Sequence, residues 1–322
     1  NEEQRRQHGC IARRMQRDVH HGLLVRPQPM STIVPAPSPM NDVRAALRQA
    51  RDEFSSNADR GAGGLRAHQR LADALDGILR AIAAQALPAG SSGVALIAVG
   101  GYGARKQCLH SDVDLLLVFA HPLAEAEERI VNAVLLPLWD LKLMVGHHVR
   151  TLADFDAVET DNPEYVLALQ TARFVAGDRM VFEEVITRTG AAGSAGRETV
   201  LEALLQLTDE RHAKFNRTLY QLEPDIKEAP GGLRDIAATR MLLGLAEEGT
   251  GAEDAALDRL DQAEDVHLRI RAILHREQGR NLNALTHELQ ETVADRLRYP
   301  GAQRQQRVEA LMGTYFRHAR AV

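Results

Sequence analysis

From position 41 onward, apolar side chains recur at helical spacing: Val43 and Leu47, then Leu65, Leu71, Leu75, Leu79 and Ile82. A Gly- and Asp-containing stretch at 57–64 interrupts them, which predicts two helices with a break between. The pattern then changes. Segments 93–99 (GVALIAV) and 113–120 (VDLLLVFA) are short, apolar and rich in branched residues, which suits buried strands. Residues 100–103 read as a glycine turn between them, and Pro122 ends the second run. Helical spacing returns at 125–141, with Ile130, Val134, Leu138 and Leu141 on one face. Residues 143–151 predict a third strand. Beyond Asn162 the chain reads as mostly helical, in segments 165–172, 181–186, 200–215, 233–247, 255–278, 282–297 and 305–321, with a linker at 190–196. No internal repeat or heptad array is present. The expectation is a small α/β domain with N-terminal helices (41–190) followed by a helical domain (191–322).

Five prolines between 27 and 39 predict an extended linker. The stretch before them is rich in Arg, His and Gln and has no apolar centre, so it is not a secretory signal. Residues 1–40 are therefore expected to be a disordered or non-native extension, with Met30 or Met40 as the start. Aromatic residues are only 4% and the net charge is −5, which argues against a nucleic-acid partner: base stacking needs the first and counterion release needs a basic surface. No apolar run reaches the roughly 20 residues of a membrane span. Two cysteines, Cys10 and Cys108, are too few for a disulfide framework, so the cytoplasm is the expected compartment.

The chemistry is concentrated in AVGGYGARKQCLHSDVDLLLVF, residues 98–119. A strand ends in Gly100-Gly101, and a loop leads to a second strand bearing Asp112 and Asp114. Side chains two apart on a strand share a face, so the carboxylates project together beside the glycines. They would repel unless a cation lies between them, and a hard divalent ion with oxygen ligands is the natural guest. Glycines let backbone N–H groups approach phosphate. Metal ions and a phosphate cradle are the equipment of phosphoryl or nucleotidyl transfer. Gly-Gly alone is often only a tight turn, and Asp-x-Asp alone is often surface. The ordered combination is far more specific, because Asp114 abuts the apolar run 115–119 and a carboxylate there is costly without a partner.

This segment resembles the nucleotidyltransferase signature of the bacterial PII-protein uridylyltransferases. The resemblance extends through LPLWDLKLMVGHHVRTL (136–152), RHAKFNRTLYQLEPDIKEAPGGLRDI (211–236) and RVEALMGTYFRHARAV (307–322), and is collinear from Val94 to Val322. It implies a nucleotidyltransferase fold of the DNA polymerase β type, followed by a helical domain. It also implies a reaction: a tyrosine hydroxyl of PII, a nitrogen-regulatory protein, attacks the α-phosphate of UTP and pyrophosphate leaves. Asp112 and Asp114 would hold Mg²⁺, with Mn²⁺ as a substitute, and Gly100, Gly101 and Ser111 would contact phosphate. Glutamine would be an effector only if sensor domains follow. The family's usual glycine turn, Gly-Tyr-Gly-Arg-Gly-Glu-Leu, here carries Ala104, Arg105 and Lys106 where Arg, Gly and Glu are usual. Ala237 replaces a histidine, and Gly146 lies where a third strand carboxylate would be expected, leaving Glu223, Asp225 and Asp235 as substitutes by proximity. Arg105 and Lys106 keep the loop cationic, which would attract triphosphate.

In the second hallmark, Gly231-Gly232 begins a helix whose N-terminus can face phosphate, with Lys227 and Arg234 as cationic partners. The bland alternative is a structural loop. His147 and His148 are adjacent on a strand and so face opposite sides, which suits structure and not a shared ion. Trp139 is expected in the core, and Cys108 is expected to be incidental. No His-Asp dipeptide occurs, so a phosphohydrolase site built on one is absent. Two other readings stand beside uridylylation: another nucleotidyltransferase, such as one adenylylating a protein or small molecule, and a catalytically weakened nucleotide-sensing module.

Overall fold

The computed structural model describes residues 38–87, 93–156, 163–195, 197–245 and 252–322. The expected extension at 1–40, with its proline linker, lies outside the described residues except at its last three positions, which already belong to the first helix. Two helices open the fold, α1 (Ser38–Asp59) and α2 (Leu65–Ala86), separated at the glycine-rich break. Strand β1 (Val94–Ala98), the helical turn α3 (Gly100–Gly103), β2 (Val113–Phe119), α4 (Glu125–Asp140) and β3 (Val145–Thr151) follow, then a 3-10 turn at Leu152–Phe155 and α5 (Pro163–Leu169). The fourth strand, β4 (Arg173–Gly177), precedes α6 (Arg179–Ala195), α7 (Arg197–Ala213), α8 (Leu233–Leu245), α9 (Ala252–Gln278), α10 (His287–Arg296) and α11 (Arg304–Ala321).

The sheet runs β3-β2-β1-β4, with β2 parallel to β3 and β1 antiparallel to both neighbours. Alternate residues of β1 feed two cores. Val94, Leu96 and Ala98 pack with α1, α2 and α4, whereas Ala95 and Ile97 pack with Phe155, Leu169, Val181 and Val185. Helices thus cover both faces, which is why β1 and β2 read as unbroken apolar runs. A third core, including Ile226, Ile270, Leu274, Leu289, Leu311 and Tyr315, unites the C-terminal helices.

Three expectations are corrected. Strand β4 was missed, because RFVAG begins with Arg and ends in Gly and only its central Val175 is buried at the sheet edge. The linker expected at 190–196 is helical through Ala195, and Gly196 lies outside the described residues. Trp139 is 42% exposed and meets His147 edge-on at 6.1 Å; Leu135 and Leu138 occupy the core instead. As expected, the two adjacent histidines have separate neighbours, His148 meeting Tyr165.

Helix α9 binds the early part of the chain. The Leu65 N–H donates to Asp265 Oδ1 (2.9 Å), and Ala272 joins Phe54, Ala58, Leu71, Cys108 and Leu109 in one apolar cluster. Residues Ser38–Val322 form a single unit of contacts.

Candidate active site

Asp114 sits near the start of β2, opposite Gly146 in the parallel register with β3. A β-carbon at Gly146 would lie 2.7 Å from Asp114 Oδ1, and one at Gly100 would lie 3.1 Å from Asp114 Oδ2. The carboxylate therefore occupies a slot that exists because both flanking residues lack side chains. Gly100 also has φ +58°, a left-handed conformation that glycine adopts at little cost. Burial, and then the charge of Asp112, push the Asp114 carboxyl up to about 6; Lys227 and Arg234 pull the other way. Lys227 and Arg234, distant in sequence, thus lie within electrostatic reach of Asp114, as Asp112 does.

The glycine turn is held from below. Tyr102 Oη donates to Asp76 Oδ1 (2.6 Å), Arg173 reaches both Asp76 oxygens, and Arg173 Nε donates to the Gly103 carbonyl (3.2 Å). Thr171 Oγ1 donates to the Gly100 carbonyl (3.0 Å). The first amides of α3, at Gly100 and Gly101, precede any intrahelical acceptor, and Gly101 is exposed with open space around it. Asp76, Thr171 and Arg173 were not singled out from sequence. Asp76 lies on the buried face of α2, and a charged residue on a core face is the signal that could have found it.

The loop 104–112 departs from expectation. Arg105 pairs with Asp73 and Lys106 with the buried Glu264, so neither charge is spare for triphosphate. Arg105 adopts φ +58°, at the position where the resembled family carries glycine. Ser111 Oγ accepts from Arg271 Nη2 (3.1 Å) and from the Cys108 N–H (3.3 Å). Cys108 itself is buried with its thiol pushed up to about 11 by burial, which suits its expected inert role.

Across the site, Lys227 and Arg234 both face Glu228, at 3.7 Å and 2.9 Å. Burial lowers the Lys227 pKa, with the charge of Arg234 second; Arg234 also feels Glu164. The glycines between them have other work. Gly231 N–H donates to Asp235 Oδ2 (2.7 Å), Gly232 N–H to Ala229 O (2.8 Å), Leu233 N–H to Ile226 O (2.9 Å) and Arg234 N–H to Lys227 O (3.0 Å). Every leading amide of α8 is occupied, so this helix start offers phosphate no free donor. Gly231 has φ +76°, and a β-carbon there would drive into the α11 backbone, 2.7 Å from Ala319 Cα. Gly231→Ala is accordingly expected to destabilise the fold by about 3 kcal/mol or more, combining strain at positive φ with overpacking. Chemical denaturation checks this; a loss under 1 kcal/mol would mean that α11 shifts freely.

The three substitutes for a third carboxylate are also engaged. Asp235 is held by Arg211, His212 (2.7 Å) and Gly231; Asp225 accepts from the Lys227 and Glu228 amides (both 2.8 Å); Glu223 accepts from the His287 amide (2.8 Å). Among the described residues no group of three His, Cys, Asp or Glu is arranged to hold a metal.

The fold and site define a mixed α/β protein in which Asp114 lies in a slot between two glycines, with Asp112, Lys227 and Arg234 in electrostatic reach. Residues 199–322 match the family model described as GlnD PII-uridylyltransferase. The bifunctional uridylyltransferase/uridylyl-removing enzyme of Photobacterium profundum is 38% identical over 241 residues, covering 71% of this chain and 27% of that protein. The protein of the same description from Cereibacter sphaeroides is 32% identical over 307 residues, covering 88% of this chain and 32% of the relative. The chain belongs to the PII-uridylyltransferase family, and spans about a third or less of the length of these relatives.

Proposed function

We propose that this chain carries a metal-dependent nucleotidyltransferase site of the DNA polymerase β type, acting in the cytoplasm. It transfers UMP from UTP to a tyrosine hydroxyl of PII. The tyrosine oxygen bonds to the α-phosphorus, the bond to the bridging oxygen breaks, and pyrophosphate leaves. The observation that supports this reading is that Lys227 and Arg234 both lower the Asp114 pKa across a long sequence separation, which suits a site where two cations meet the charge of a triphosphate beside two carboxylates.

The pair suits a hard divalent ion. Its oxygens are close enough for Asp112 to raise the Asp114 pKa, and the slot between Gly100 and Gly146 keeps side chains away. Mg²⁺, or Mn²⁺ in its place, would offset that repulsion and the charge of the triphosphate. We assign nucleotide contacts to Gly100, Gly101, Lys227 and Arg234. Ser111, Gly231 and Gly232 maintain the frame that presents them.

The test is incorporation of labelled UMP into PII by the purified chain with Mg²⁺. Lys227→Met is expected to raise the KM for UTP about 10–100-fold, the loss of a charge-assisted contact worth roughly 1.5–3 kcal/mol. Incorporation from ATP but not UTP would sink the uridylyl reading. With uridylylated PII, metal and glutamine, the same chain is expected to release no UMP at a catalytic rate, because the sequence has no adjacent His-Asp dipeptide of the kind a phosphohydrolase site is built on; steady release would reveal a second site.

A further inference from the structure

Arg271 on α9 is 6% exposed, yet its guanidinium is met by neutral oxygens: Nε donates to Asn283 Oδ1 (2.8 Å) and Nη2 to Ser111 Oγ (3.1 Å). Among the described residues it forms no ion pair with a carboxylate. A buried cation without a counter-charge is costly, so its retention asks for a reason beyond packing. Its two partners lead to opposite sides of the site. Ser111 immediately precedes Asp112, and Gln107 Nε2 donates to the carbonyls of both (3.0 and 3.2 Å). On the other side, the Asn283 carbonyl accepts from the Ile226 N–H (2.8 Å), immediately before Lys227, and the Leu285 N–H donates to Pro224 O (2.9 Å). Two further contacts brace the loop against α9: the His110 N–H donates to His275 Nδ1 (3.3 Å), and Lys106 pairs with Glu264.

We infer that Arg271 is a positioning residue, a strut that sets the spacing between the Asp112/Asp114 carboxylates and the Lys227/Arg234 cations through Ser111 on one side and Asn283 on the other. Its charge also reaches Lys227, whose pKa it helps to lower. The strut holds the two halves of the site in register for a ligand that must touch both. The activity part of this inference rests on the transfer reading above; the mechanical part does not.

The experiment compares Arg271→Met, Arg271→Lys, Ser111→Ala and Asn283→Ala by hydrogen exchange and by transfer kinetics with Mg²⁺, UTP and PII. In Arg271→Met, amides of 107–112 and 225–228 are both expected to exchange about tenfold faster or more, while β2 amides keep their protection. The kcat for transfer is expected to fall about 10–100-fold, the effect of losing a charged hydrogen bond of roughly 1.5–3 kcal/mol. Adding Ser111→Ala to Arg271→Met is expected to lower kcat by less than about twofold, because both act through one contact. Arg271→Lys keeps the charge but cannot fork to both partners, and is expected to recover only part of the loss. Multiplicative kcat effects, or exchange that accelerates equally in β2, would overturn the strut and leave Arg271 a packing residue. If Arg271→Met does not fold, Ser111→Ala and Asn283→Ala decide: each is expected to loosen the segment it holds, and unchanged exchange in both overturns the inference. Absence of UTP transfer in the wild type would defeat the proposed function, while the exchange result would still judge the strut.

Discussion

Asp114→Asn is expected to abolish UMP transfer, by about 10³-fold or more, and at the same time to stabilise the metal-free protein. The amide keeps the shape that fits between Gly100 and Gly146 but loses the charge that a divalent ion needs. The stability change follows from linkage. In the fold this carboxyl is raised from 3.8 to about 6, chiefly by burial and then by Asp112. The folded state therefore binds the proton more tightly than the unfolded chain does. The ionised carboxylate carries no penalty below pH 4; the penalty grows as pH rises from about 4 to 6 and is complete above that. At roughly 1.4 kcal/mol per pKa unit, discounted for partial exposure, the variant should gain about 1–3 kcal/mol at pH 8 and nothing at pH 4. Saturating Mg²⁺ should reverse the order, because only the wild type gains by binding it. Melting curves at the two pH values, with and without Mg²⁺, check all three statements. A variant that is less stable at pH 8 without metal, or that transfers UMP at the wild-type rate, would remove Asp114 from the metal role.

Asp76→Ala should give the largest loss of stability, about 3–5 kcal/mol. Its carboxylate is 3% exposed and receives the Tyr102 hydroxyl, the forked Arg173 guanidinium and Arg80 (3.2 Å). Removing it leaves a half-buried cation and a buried hydroxyl unmatched beneath the glycine turn. Tyr102→Phe removes one donor and leaves the ion pairs, so it should cost only about 1 kcal/mol. Urea unfolding measures both. Equal losses for the two variants would show that the ion pairs add nothing and that the hydroxyl alone holds the turn.

How much of this was legible in the sequence depended on which residues share a local pattern. Strands β1 and β2 and helix α4 were readable because their burial repeats within a few residues: Val134, Leu138 and Leu141 fall on one face, and β1 is apolar throughout. The i, i+2 spacing pointed to Asp112 and Asp114 as partners; β2 begins at Val113, so Asp112 precedes the strand and acts on Asp114 through its charge. Strand β4 escaped because its arginine and glycine obey tertiary demands, Arg173 for Asp76 and Gly177 for a close approach to Val94. The cationic side of the site was suggested by a resemblance and not by spacing, since no local rule brings Lys227 to Asp114. The loop at 104–107 misled in a specific way. Its charges were visible, but their partners Asp73 and Glu264 lie on helices on either side of it in sequence, so the apparent surplus of positive charge is cancelled in the fold.

The clasp between Ser111 and Arg271 joins positions 160 apart in the chain. At a synthesis rate of roughly 5–20 residues per second, about 8–32 s separate the emergence of its two ends from the ribosome. During that interval β2 has its antiparallel partner β1 and its parallel partner β3, and the loop before Asp112 can already pack on α1 and α2 through Cys108 and Leu109, but its contacts to α9 are missing. The nascent protein thus passes through a stage in which the sheet can be built and the acidic pair displayed, while the groups that would face it are still being made. Completion of this arrangement is thereby deferred until α9 and the turn at Asn283 arrive.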